Sequence, residues 1–338
     1  MTIQESTAEM LPDLEEVLKD LVNQHIPSRY SGMKEMIAYH MGWQSQNGSK
    51  NTQGKRIRPL IVLLATQLCG GEWQKALPAA ASIELLHNFS LVHDDIEDQS
   101  EFRRGQPTVW KLWGVNQAVN CGDAMFSLAQ ISMLHLGIKV NPMVAYEASV
   151  LLNQTCISLT GGQYLDMSFE SRDEISRDDY FEMITGKTAA LMGASAELGA
   201  IVSQSSKMNR NSLRTYGEAI GIAFQVWDDV LGIWGNEQKT GKPVSADLKD
   251  GKKTLPVVYG FENNPAIIEL MRNTEKDDES IARLIMELEK IGARKYAENV
   301  AQYYSNLANK ALLSLTNINS EGLQVIKELT AQLIKREN

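Results

Sequence analysis

The segment ELLHNFSLVHDDIED (residues 84–98) combines a helical run of apolar side chains with aspartates at its carboxyl end. Asp94 and Asp98 are four residues apart, so a helix places them one above the other on one face. His87, seven residues before Asp94, falls within about 20° of it around the helix axis. Stacked carboxylates repel each other, and the carboxyl end of a helix disfavours negative charge. A hard divalent cation such as Mg2+ would neutralise them, because it takes oxygen ligands and bridges to substrate phosphates.

A second segment, FQVWDDV (residues 224–230), has the same form, since an apolar helical stretch again ends in paired aspartates, Asp228 and Asp229. Basic residues follow both clusters: Arg103 and Arg104 after the first, and Lys242, Lys252 and Lys253 after the second. Arginine and lysine beside carboxylate-bound metals favour a pyrophosphate group as the ligand. The paired clusters therefore predict an enzyme that acts on a diphosphate, with Mg2+ as its cofactor.

The composition favours a helical protein. The 338 residues include 43% hydrophobic side chains but only nine prolines, and the apolar runs are rich in Leu, Ala, Ile and Met. Such runs predict an all-α fold, and no strand-like alternation recurs that would indicate a doubly wound α/β fold. The net charge of −9 argues against general binding to nucleic acid or to an anionic membrane surface.

Targeting signals are not apparent. The amino-terminal residues are acidic and lack the basic and apolar regions of a signal peptide. No run of about 18 apolar residues occurs, so no membrane span is expected. The three cysteines, Cys69, Cys121 and Cys156, lack metal-ligand spacing and cannot all pair, which fits free thiols. These features predict a cytoplasmic protein.

The helical pattern extends along the chain. Helices are expected over 7–37, 59–70, 76–98, 116–137, 142–160, 177–203 and 211–233, with more after Pro256. Polar, glycine-containing loops are expected at 42–54 and 234–254, and the second is long enough to be functional. No stretch poor in apolar residues divides the chain, so a single domain over 1–338 is expected, with the motifs between about 50 and 260.

A third basic group precedes the first acidic cluster. Lys55, Arg56 and Arg58 lie at the start of a predicted helix. A solvated basic turn is the simpler interpretation. A second anion site is the functional one, because diphosphate chemistry needs more positive charge than metals alone supply.

The triplet Gly186-Lys187-Thr188 is reminiscent of a phosphate-binding loop. A Walker A motif would also need glycine at position 181, where Phe181 stands, so that interpretation is rejected. Lys187 remains a candidate to contact a phosphate from within a helix.

A series of motifs resembles a known family. The motifs are GKRIRP (54–59), ELLHNFSLVHDD (84–95), RRG (103–105), GQYLDM (162–167), TGKT (185–188), FQVWDD (224–229) and GKPVSADLKDGKKTLP (241–256). In order and content they resemble the trans-isoprenyl diphosphate synthases, or polyprenyl synthetases. The resemblance implies an all-α, terpene synthase-like helical bundle around a deep central cavity, usually a homodimer. It also implies head-to-tail (1′-4) condensation of an allylic diphosphate with isopentenyl diphosphate.

The resemblance assigns the metal ligands. Asp94, Asp95 and Asp98 match the first aspartate-rich motif and would hold two Mg2+ ions. Asp228 and Asp229 match the second and would hold a third ion, Asp228 most directly. Mn2+ is an alternative metal. The metals would bridge the allylic diphosphate and help it leave.

The resemblance also assigns the substrate-binding residues. Those that would bind the allylic diphosphate are Arg103, Lys187 and Lys242, and Thr188 is a further substrate-binding candidate. Those that would bind isopentenyl diphosphate are Lys55, Arg56, His87 and Arg104. Phe224 and Gln225 would flank the reacting carbons, and Gln163, Asp166 and Lys252 would support the site.

The second motif departs from the family pattern. That motif usually reads DDxxD, but Gly232 stands at its third acidic position. The third carboxylate often lies outside the first metal shell in this family, so activity is expected to survive. Weaker metal affinity or an unusual substrate is the alternative.

Product length is expected to depend on Phe89 and Ser90, five and four residues before Asp94. A growing chain stops when its tail meets a bulky side chain, and Phe89 would form that floor. This pair, without an insertion in the first motif, resembles geranylgeranyl (C20) synthases. Farnesyl (C15) and geranylfarnesyl (C25) products stay open.

Two other functions share part of this pattern. A terpene cyclase would need an Asn/Ser/Glu metal motif where Asp228 and Asp229 stand. A non-catalytic partner subunit of a heteromeric synthase would have lost more aspartates and arginines, and only Gly232 favours it. Turnover by the purified chain alone separates an active synthase from a partner subunit.

Overall fold

The computed structural model describes residues 2–44, 54–235, 245–272 and 277–334. Over those ranges the regular secondary structure is helical apart from one short hairpin, which confirms the all-α prediction. The first helices in chain order are α1 (Ile3–His25), α2 (Ser31–His40), α3 (Ile57–Leu68), α4 (Leu77–Glu97), α5 (Val109–Trp113), α6 (Val115–Leu134), α7 (Leu136–Lys139), α8 (Pro142–Glu170) and α9 (Arg177–Ile184). The remaining helices are α10 (Ala190–Val202), α11 (Lys207–Trp234), α12 (Ala246–Lys249), α13 (Leu255–Asn263), α14 (Pro265–Arg272), α15 (Asp278–Lys290), α16 (Ala293–Leu313) and α17 (Ser320–Ile334).

Most predicted helices lie within a few residues of the observed ones, but one prediction was wrong. α8 continues ten residues beyond its expected end at 160, through Gly161 and Gly162. The helical stretch expected over 177–203 is observed, and within it residues Thr185–Ala189 form a π-helical turn between α9 and α10. In the expected loop at 234–254, residues 245–254 are described and contain α12, whereas 236–244 lie outside the described residues.

The hairpin follows the first acidic cluster. Strands β1 (Phe102–Arg103) and β2 (Gln106–Pro107) pair antiparallel, with Arg103 opposite Gln106. Arg104 and Gly105 form the two-residue connection and both have positive φ, 52° and 74°. Two left-handed residues in succession are typical of a type I′ turn, whose twist matches that of the strands. The sequence indicated only a loop here, and the turn fixes the backbone that carries both arginines.

The chain forms two compact units. The first comprises the residues up to Asn153, with Ser195–Arg210 and Thr316–Glu328. At its centre is α4, which is buried on nearly all sides and packs against α3 and α6. Ser82 of α4 donates to the carbonyl of Ala129 (2.8 Å), which satisfies a buried hydroxyl at the helix contact. This packing holds the acidic end of α4 in place.

The second unit comprises Gln154–Ala194, Asn211–Leu315 and the residues from Leu329 onward. Its core includes buried side chains of α9, α11, α13 and α16. α8 and the π-helical turn approach closely in this unit, since a Cβ added at Gly162 would overlap the backbone nitrogen of Lys187. A Cβ at Gly186 would similarly lie 2.6 Å from the carbonyl oxygen of Ser158. The two glycines therefore permit a backbone contact that no larger residue allows.

Two other sequence expectations can be compared with the structure. Cys69, Cys121 and Cys156 are all free thiols, as expected. In the part of the chain that the structure describes, no helix is both long enough and apolar enough to cross a bilayer. The single domain expected from the sequence stays a prediction.

The close approach at Gly162 predicts a large effect of one methyl group. Gly162→Ala should lower the free energy of unfolding by about 3 kcal/mol, the upper end for overpacking, because the opposing atoms are backbone and cannot rotate away. Gly32→Ala is the control: Gly32 lies in α2 with open space around its Cα, so alanine should be neutral or stabilise by up to about 1 kcal/mol. Urea unfolding followed by circular dichroism measures both. Equal stability of the two variants would contradict the packing described.

Candidate functional site

The first acidic cluster lies at the carboxyl end of α4 as the sequence predicted. The backbone N–H of Asp98 donates to the carbonyl of Asp94 (2.8 Å), so these residues are one helical turn apart on one face. Asp94 is half-buried and Asp98 exposed, whereas Asp95, about 100° around the helix, is buried. Two of the three carboxylates are thus accessible at one face of the helix end.

Asp95 is held by the hairpin. Arg103 Nε donates to Asp95 Oδ1 at 2.7 Å. Burial raises the pKa of Asp95, and the charge of Arg103 acts in the opposite direction. Its second oxygen, Oδ2, is buried and has no hydrogen-bond partner among the described residues. A buried carboxylate oxygen without a donor costs free energy, so its surroundings suit a cation or a water molecule bound to one.

No preformed metal cage is present in the described ranges. Nowhere in them do three or more His, Cys, Asp or Glu side chains gather into a group that could hold an ion. Asp94 and Asp98 supply oxygen donors of the kind that Mg2+ prefers, but too few for its octahedral shell. Water and a phosphate ligand would have to complete it. The donor set therefore fits Mg2+ that arrives with a phosphate-bearing substrate.

Arg56 is buried in the first unit and fully engaged by protein groups. Its Nε donates to Glu15 (2.7 Å), its Nη1 to Glu84 (2.7 Å) and its Nη2 to the carbonyl of Met41 (3.0 Å). Both glutamates raise the pKa of the guanidinium, although burial opposes them. Three protein acceptors favour a scaffold role. Direct contact between Arg56 and a substrate, expected from the sequence, stays a prediction.

Arg58 approaches the predicted site instead. Its Nη1 lies 3.2 Å from Nε2 of His87, and since arginine only donates, that ring nitrogen accepts. Burial, together with the charges of Arg58 and Arg104, holds the pKa of His87 well below its usual range, so the ring stays neutral. Arg104 approaches Gly54, where an added Cβ would lie 2.9 Å from its guanidinium.

Lys55, which follows Gly54 directly, is exposed. The sequence includes Arg58 in the basic group at 55–58, but the family resemblance assigns it to neither substrate. The structure thus brings Lys55, Arg58, His87 and Arg104 to one side of the first unit, a group that we call the cationic cluster. Clustered cations of this kind fit a polyanionic ligand.

In the second unit, Asp229 is buried and accepts three hydrogen bonds. The donors are Tyr180 Oη (2.6 Å), the backbone N–H of Leu255 (2.9 Å) and Gln225 Nε2 (3.1 Å). Burial raises the pKa of Asp229 to about 7, against the lowering effect of those donors. With its acceptors occupied, Asp229 joins α9, α11 and the start of α13. Its neighbour Asp228 is only half-buried and is the better candidate ligand.

The π-helical turn adds the residues of the TGKT motif to this unit. Lys187 forms a short ion pair with Asp166 of α8. Thr188 Oγ1 donates to Gln225 Oε1 (3.0 Å), which links the turn to Asp229 through Gln225. π-Helical turns occur frequently at functional sites. Two sequence candidates, Lys187 and Thr188, are thereby joined to their predicted neighbours.

Four further candidates were predicted from the sequence in this part of the chain: Gln163, Phe224, Lys242 and Lys252. Gln163 is buried and Phe224 is half-buried. Lys252 Nζ lies 3.6 Å from Asp247 Oδ1, with much of the lysine exposed. Lys242 lies outside the described residues.

Phe89 is buried in the first unit and contacts two other rings. Its ring lies edge-to-face with that of Phe126 on α6, with centroids 5.3 Å apart, and at the same distance from His93. Ser90 Oγ donates to the carbonyl of His87 (2.8 Å), a local bond within α4. The sequence alone does not identify Phe126, because its contact with Phe89 depends on how α6 packs on α4. The residue expected to be a floor is thus one half of an aromatic pair.

The chain is similar to a family model, to proteins of known function and to solved structures. Residues 43–290 match the family model described as polyprenyl synthetase. A Mycobacterium tuberculosis protein named (2E,6E)-farnesyl diphosphate synthase is 42% identical over 283 residues, covering 80% of this chain and 77% of the relative. A geranylgeranyl diphosphate synthase of the same species is 40% identical over 245 residues, covering 72% and 69%. The crystal structure of geranylgeranyl pyrophosphate synthetase from Pyrococcus horikoshii has a TM-score of 0.89 at 33% identity, with 99% of each chain covered.

The contacts of Arg56 predict a loss of stability when it is replaced. Arg56→Gln would leave Glu15 and Glu84 without their buried partner, so the free energy of unfolding should fall by about 3–5 kcal/mol. Lys55→Gln removes one charge from the exposed neighbour and should change it by less than about 0.5 kcal/mol. Guanidinium unfolding of both variants tests this. An Arg56→Gln protein as stable as Lys55→Gln would exclude the scaffold role.

Proposed function

The chain belongs to the polyprenyl synthetase family of prenyltransferases, and from that premise we propose that it condenses isopentenyl diphosphate with an allylic diphosphate. One observation carries the proposal. Beside the acidic end of α4, the structure holds a separate cationic cluster, and the Asp95–Arg103 ion pair links that acidic end to the hairpin of Arg104. Carboxylates that suit metals and cations that suit a diphosphate are thus kept together in one unit.

The acids would hold the metal. Asp94 and Asp98 are the accessible pair of the first motif, and Asp228 is the half-buried acid of the second. Asp95 and Asp229 would act mainly by bonding to the protein and orienting these neighbours. When bound, Mg2+ would neutralise the allylic diphosphate and stabilise the negative charge that develops as the C–O bond breaks.

The cationic cluster would bind isopentenyl diphosphate. Lys55, Arg58 and Arg104 supply positive charge, and the neutral ring of His87 completes the group. Arg56 would act through the buried ion pairs that fix Lys55 and Arg58 on either side of it. Holding the homoallylic diphosphate by its charged end leaves its double bond free to react.

Arg103 and Lys187 would grip the allylic diphosphate, with Lys242 as a further expected cation. Each described member is already oriented by an acid, Arg103 by Asp95 and Lys187 by Asp166. These ion pairs orient the two cations when no substrate is bound. A diphosphate, which carries more charge than a carboxylate, can compete with the acids for the cations.

The bond changes follow from this arrangement. The C1–O bond of the allylic substrate breaks, and its electron pair leaves with pyrophosphate. The isopentenyl double bond then attacks C1, and loss of a proton from the resulting cation forms the new trans double bond. The released pyrophosphate is the proposed acceptor of that proton. Phe224 and Gln225 would flank the reacting carbons, and Thr188 orients Gln225 through its hydroxyl.

We propose geranylgeranyl diphosphate (C20) as the product. Phe89 with Phe126 forms a two-ring wall more than one turn before Asp94, where a growing tail would end. Relatives of similar identity carry the names of both farnesyl and geranylgeranyl synthases. C15 and C25 products are therefore the outcomes against which C20 is tested.

A homodimer is the proposed assembly. Apolar side chains are exposed on α6 at Val115 and Val119. On α8 they recur every seven residues, as Met143, Val150, Ile157 and Tyr164. A seven-residue apolar repeat on an exposed helix face is typical of helix-to-helix packing. A second copy of the chain, which carries the same face, is the occupant that a symmetric dimer requires.

Turnover by the purified chain tests the function directly. The protein is incubated with Mg2+, isopentenyl diphosphate and either dimethylallyl, geranyl or farnesyl diphosphate, and products are identified by mass. We expect C20 from all three starters. Asp94→Asn should lower kcat/KM at least about a hundredfold, since it removes a carboxylate on which the metal depends. Lack of turnover by folded wild-type protein would exclude the synthase and favour a partner subunit.

The aromatic pair predicts a change in product length. Phe89→Ala should shift products to C25 or longer, and Phe126→Ala should do so more weakly, because one ring of the wall remains. Ile138→Ala, at an exposed side chain of α7, should leave the product unchanged. Chain lengths by mass spectrometry provide the measurement. Unchanged products from both phenylalanine variants would rule out this wall as the limit.

The apolar stripe predicts the effect of a charge on assembly. Ile157→Glu should halve the mass measured by light scattering after gel filtration, because a buried carboxylate would oppose dimerisation. Met286→Glu introduces the same charge at an exposed side chain of α15, a helix that carries no part of the proposed face, and should stay dimeric. A monomeric wild-type protein would refute the proposed dimer.

A further inference from the structure

The hairpin that carries Arg103 and Arg104 is too short to hold its shape alone. Strands β1 and β2 contribute only two residues each, and an isolated two-stranded hairpin is at best marginally stable in water. The two arginines are consecutive, yet the proposed function assigns them to different substrates, Arg103 to the allylic diphosphate and Arg104 to isopentenyl diphosphate. Contacts from outside the hairpin must therefore fix the backbone that carries both guanidinium groups.

Several hydrogen bonds close the base of the hairpin. The hydroxyl of Thr108 and the indole N–H of Trp110 both donate to the carbonyl of Ser100, each at 2.9 Å. The backbone N–H of Thr108 also donates to the carbonyl of Glu101 (2.9 Å). These bonds join the two ends of the hairpin to each other and to the start of α5.

Tyr39 of α2 ties the hairpin to the helices of the first unit. Its Oη donates to the carbonyl of Pro107 in β2 at 2.7 Å, the usual length for a hydroxyl donor. Its ring lies edge-to-face with Trp113 of α5, with centroids 5.3 Å apart. The side chain is buried, and burial raises the pKa of Tyr39, so the phenol stays protonated and able to donate. Tyr39 thus constrains β2 directly.

The helix that carries Tyr39 is itself held in place. α2 packs against α5 and α6, and the carbonyl of Met41, just after α2, accepts from Nη2 of the buried Arg56 (3.0 Å). Burial, together with the charges of Arg104 and Arg103, lowers the pKa of His40 to about 3, so its ring is neutral. The end of α2 therefore lies within electrostatic reach of both hairpin arginines without placing a like charge beside them.

We propose that Tyr39 is a positioning residue for both substrates, because its hydroxyl sets where the hairpin presents Arg103 and Arg104. The proposal rests on the proposed function, which places a diphosphate at each arginine. Loss of the bond to Pro107 lets β2 shift, and the two-residue turn that connects β2 to β1 shifts with it. Since the arginines are consecutive, one displacement weakens the contacts with both diphosphates at once.

The first test compares the two substrates. Tyr39→Phe removes only the hydroxyl. It should raise KM for isopentenyl diphosphate and KM for the allylic diphosphate by similar factors, each at least about fivefold, because hydrogen bonds to charged groups are weakened. A rise in KM for one substrate alone would overturn the proposal.

Tyr216→Phe is the matched control for this test. Tyr216 is buried in the second unit, and its Oη lies 2.9 Å from Oγ1 of Thr330, so the variant also loses a buried hydroxyl bond. Both variants should have a lower melting temperature than the wild type, but Tyr216→Phe should keep both KM values. Equal KM values in the two variants would show that Tyr39 contributes to stability only.

The second test asks whether Tyr39 acts through Arg104. Binding of isopentenyl diphosphate to the full chain is measured by calorimetry without the allylic substrate. Arg104→Gln should weaken binding at least about tenfold and Tyr39→Phe at least about fivefold, because both affect a hydrogen bond to a charged group. In the Arg104→Gln background, Tyr39→Phe should weaken binding by less than about twofold, because the arginine through which it acts is gone. Losses of affinity that multiply in the double variant would contradict the positioning role.

The outcomes separate this inference from the proposed function. Elongation by wild-type protein, with KM values of Tyr39→Phe equal to those of Tyr216→Phe, would refute the role of Tyr39 and leave the function intact. Wild-type protein that binds isopentenyl diphosphate without elongating it, with binding weakened in Tyr39→Phe, would refute the synthase and support the role of Tyr39.

Discussion

The buried ion pair between Arg56 and Glu84 is the contact on which the first unit's proposed site depends. Glu84 lies on α4 ten residues before Asp94, and Arg56 lies between Lys55 and Arg58 at the start of α3. The pair therefore ties the start of α3, which carries Lys55 and Arg58, to the helix whose carboxyl end carries Asp94. Glu84 Oε1 also accepts from Asn88 Nδ2 (2.7 Å), so the charge remains solvated by protein groups. Replacing such a buried pair by apolar side chains is often neutral for stability, whereas removing one partner leaves a buried charge and is costly.

The two acidic motifs share one arrangement, in which one aspartate bonds to the protein and its neighbour is more accessible. In each, one aspartate is buried and bonded to the protein, Asp95 to Arg103 and Asp229 to Tyr180. The residue before it, about 100° around the helix, stays more accessible. Adjacent side chains on a helix point in different directions. One aspartate of each pair can therefore bond to the protein while the other faces a metal ion. The proposed ligands Asp94 and Asp228 are then held in place because Asp95 and Asp229 are bonded to the protein.

The sequence predicted the features that depend on local periodicity and missed those that depend on packing. Helix type, and the shared face of Asp94 and Asp98, follow from residue spacing alone and are confirmed. The contact of Arg58 with His87, and the burial of Arg56 against Glu15 and Glu84, could not be foreseen, because both arginines fit the same basic run. The partnership of Phe89 with Phe126 depends on the packing of α6. For the same reason, the hydrogen bond from Tyr39 to the hairpin is visible only once α2 is placed.

The π-helical turn at 185–189 has a consequence for reading related chains. A π-helical turn accommodates one more residue than an α-helix over the same rise, so it behaves as a single insertion within a continuous helix. Without it, every side chain from Ala190 onward would be rotated by about 100° relative to α9. An alignment that runs ungapped through this turn into an unbroken helix would shift the register by one. It would then align Lys187 with a residue on a different helix face of the related chain. Whether the related chain keeps this lysine would be read incorrectly from such an alignment.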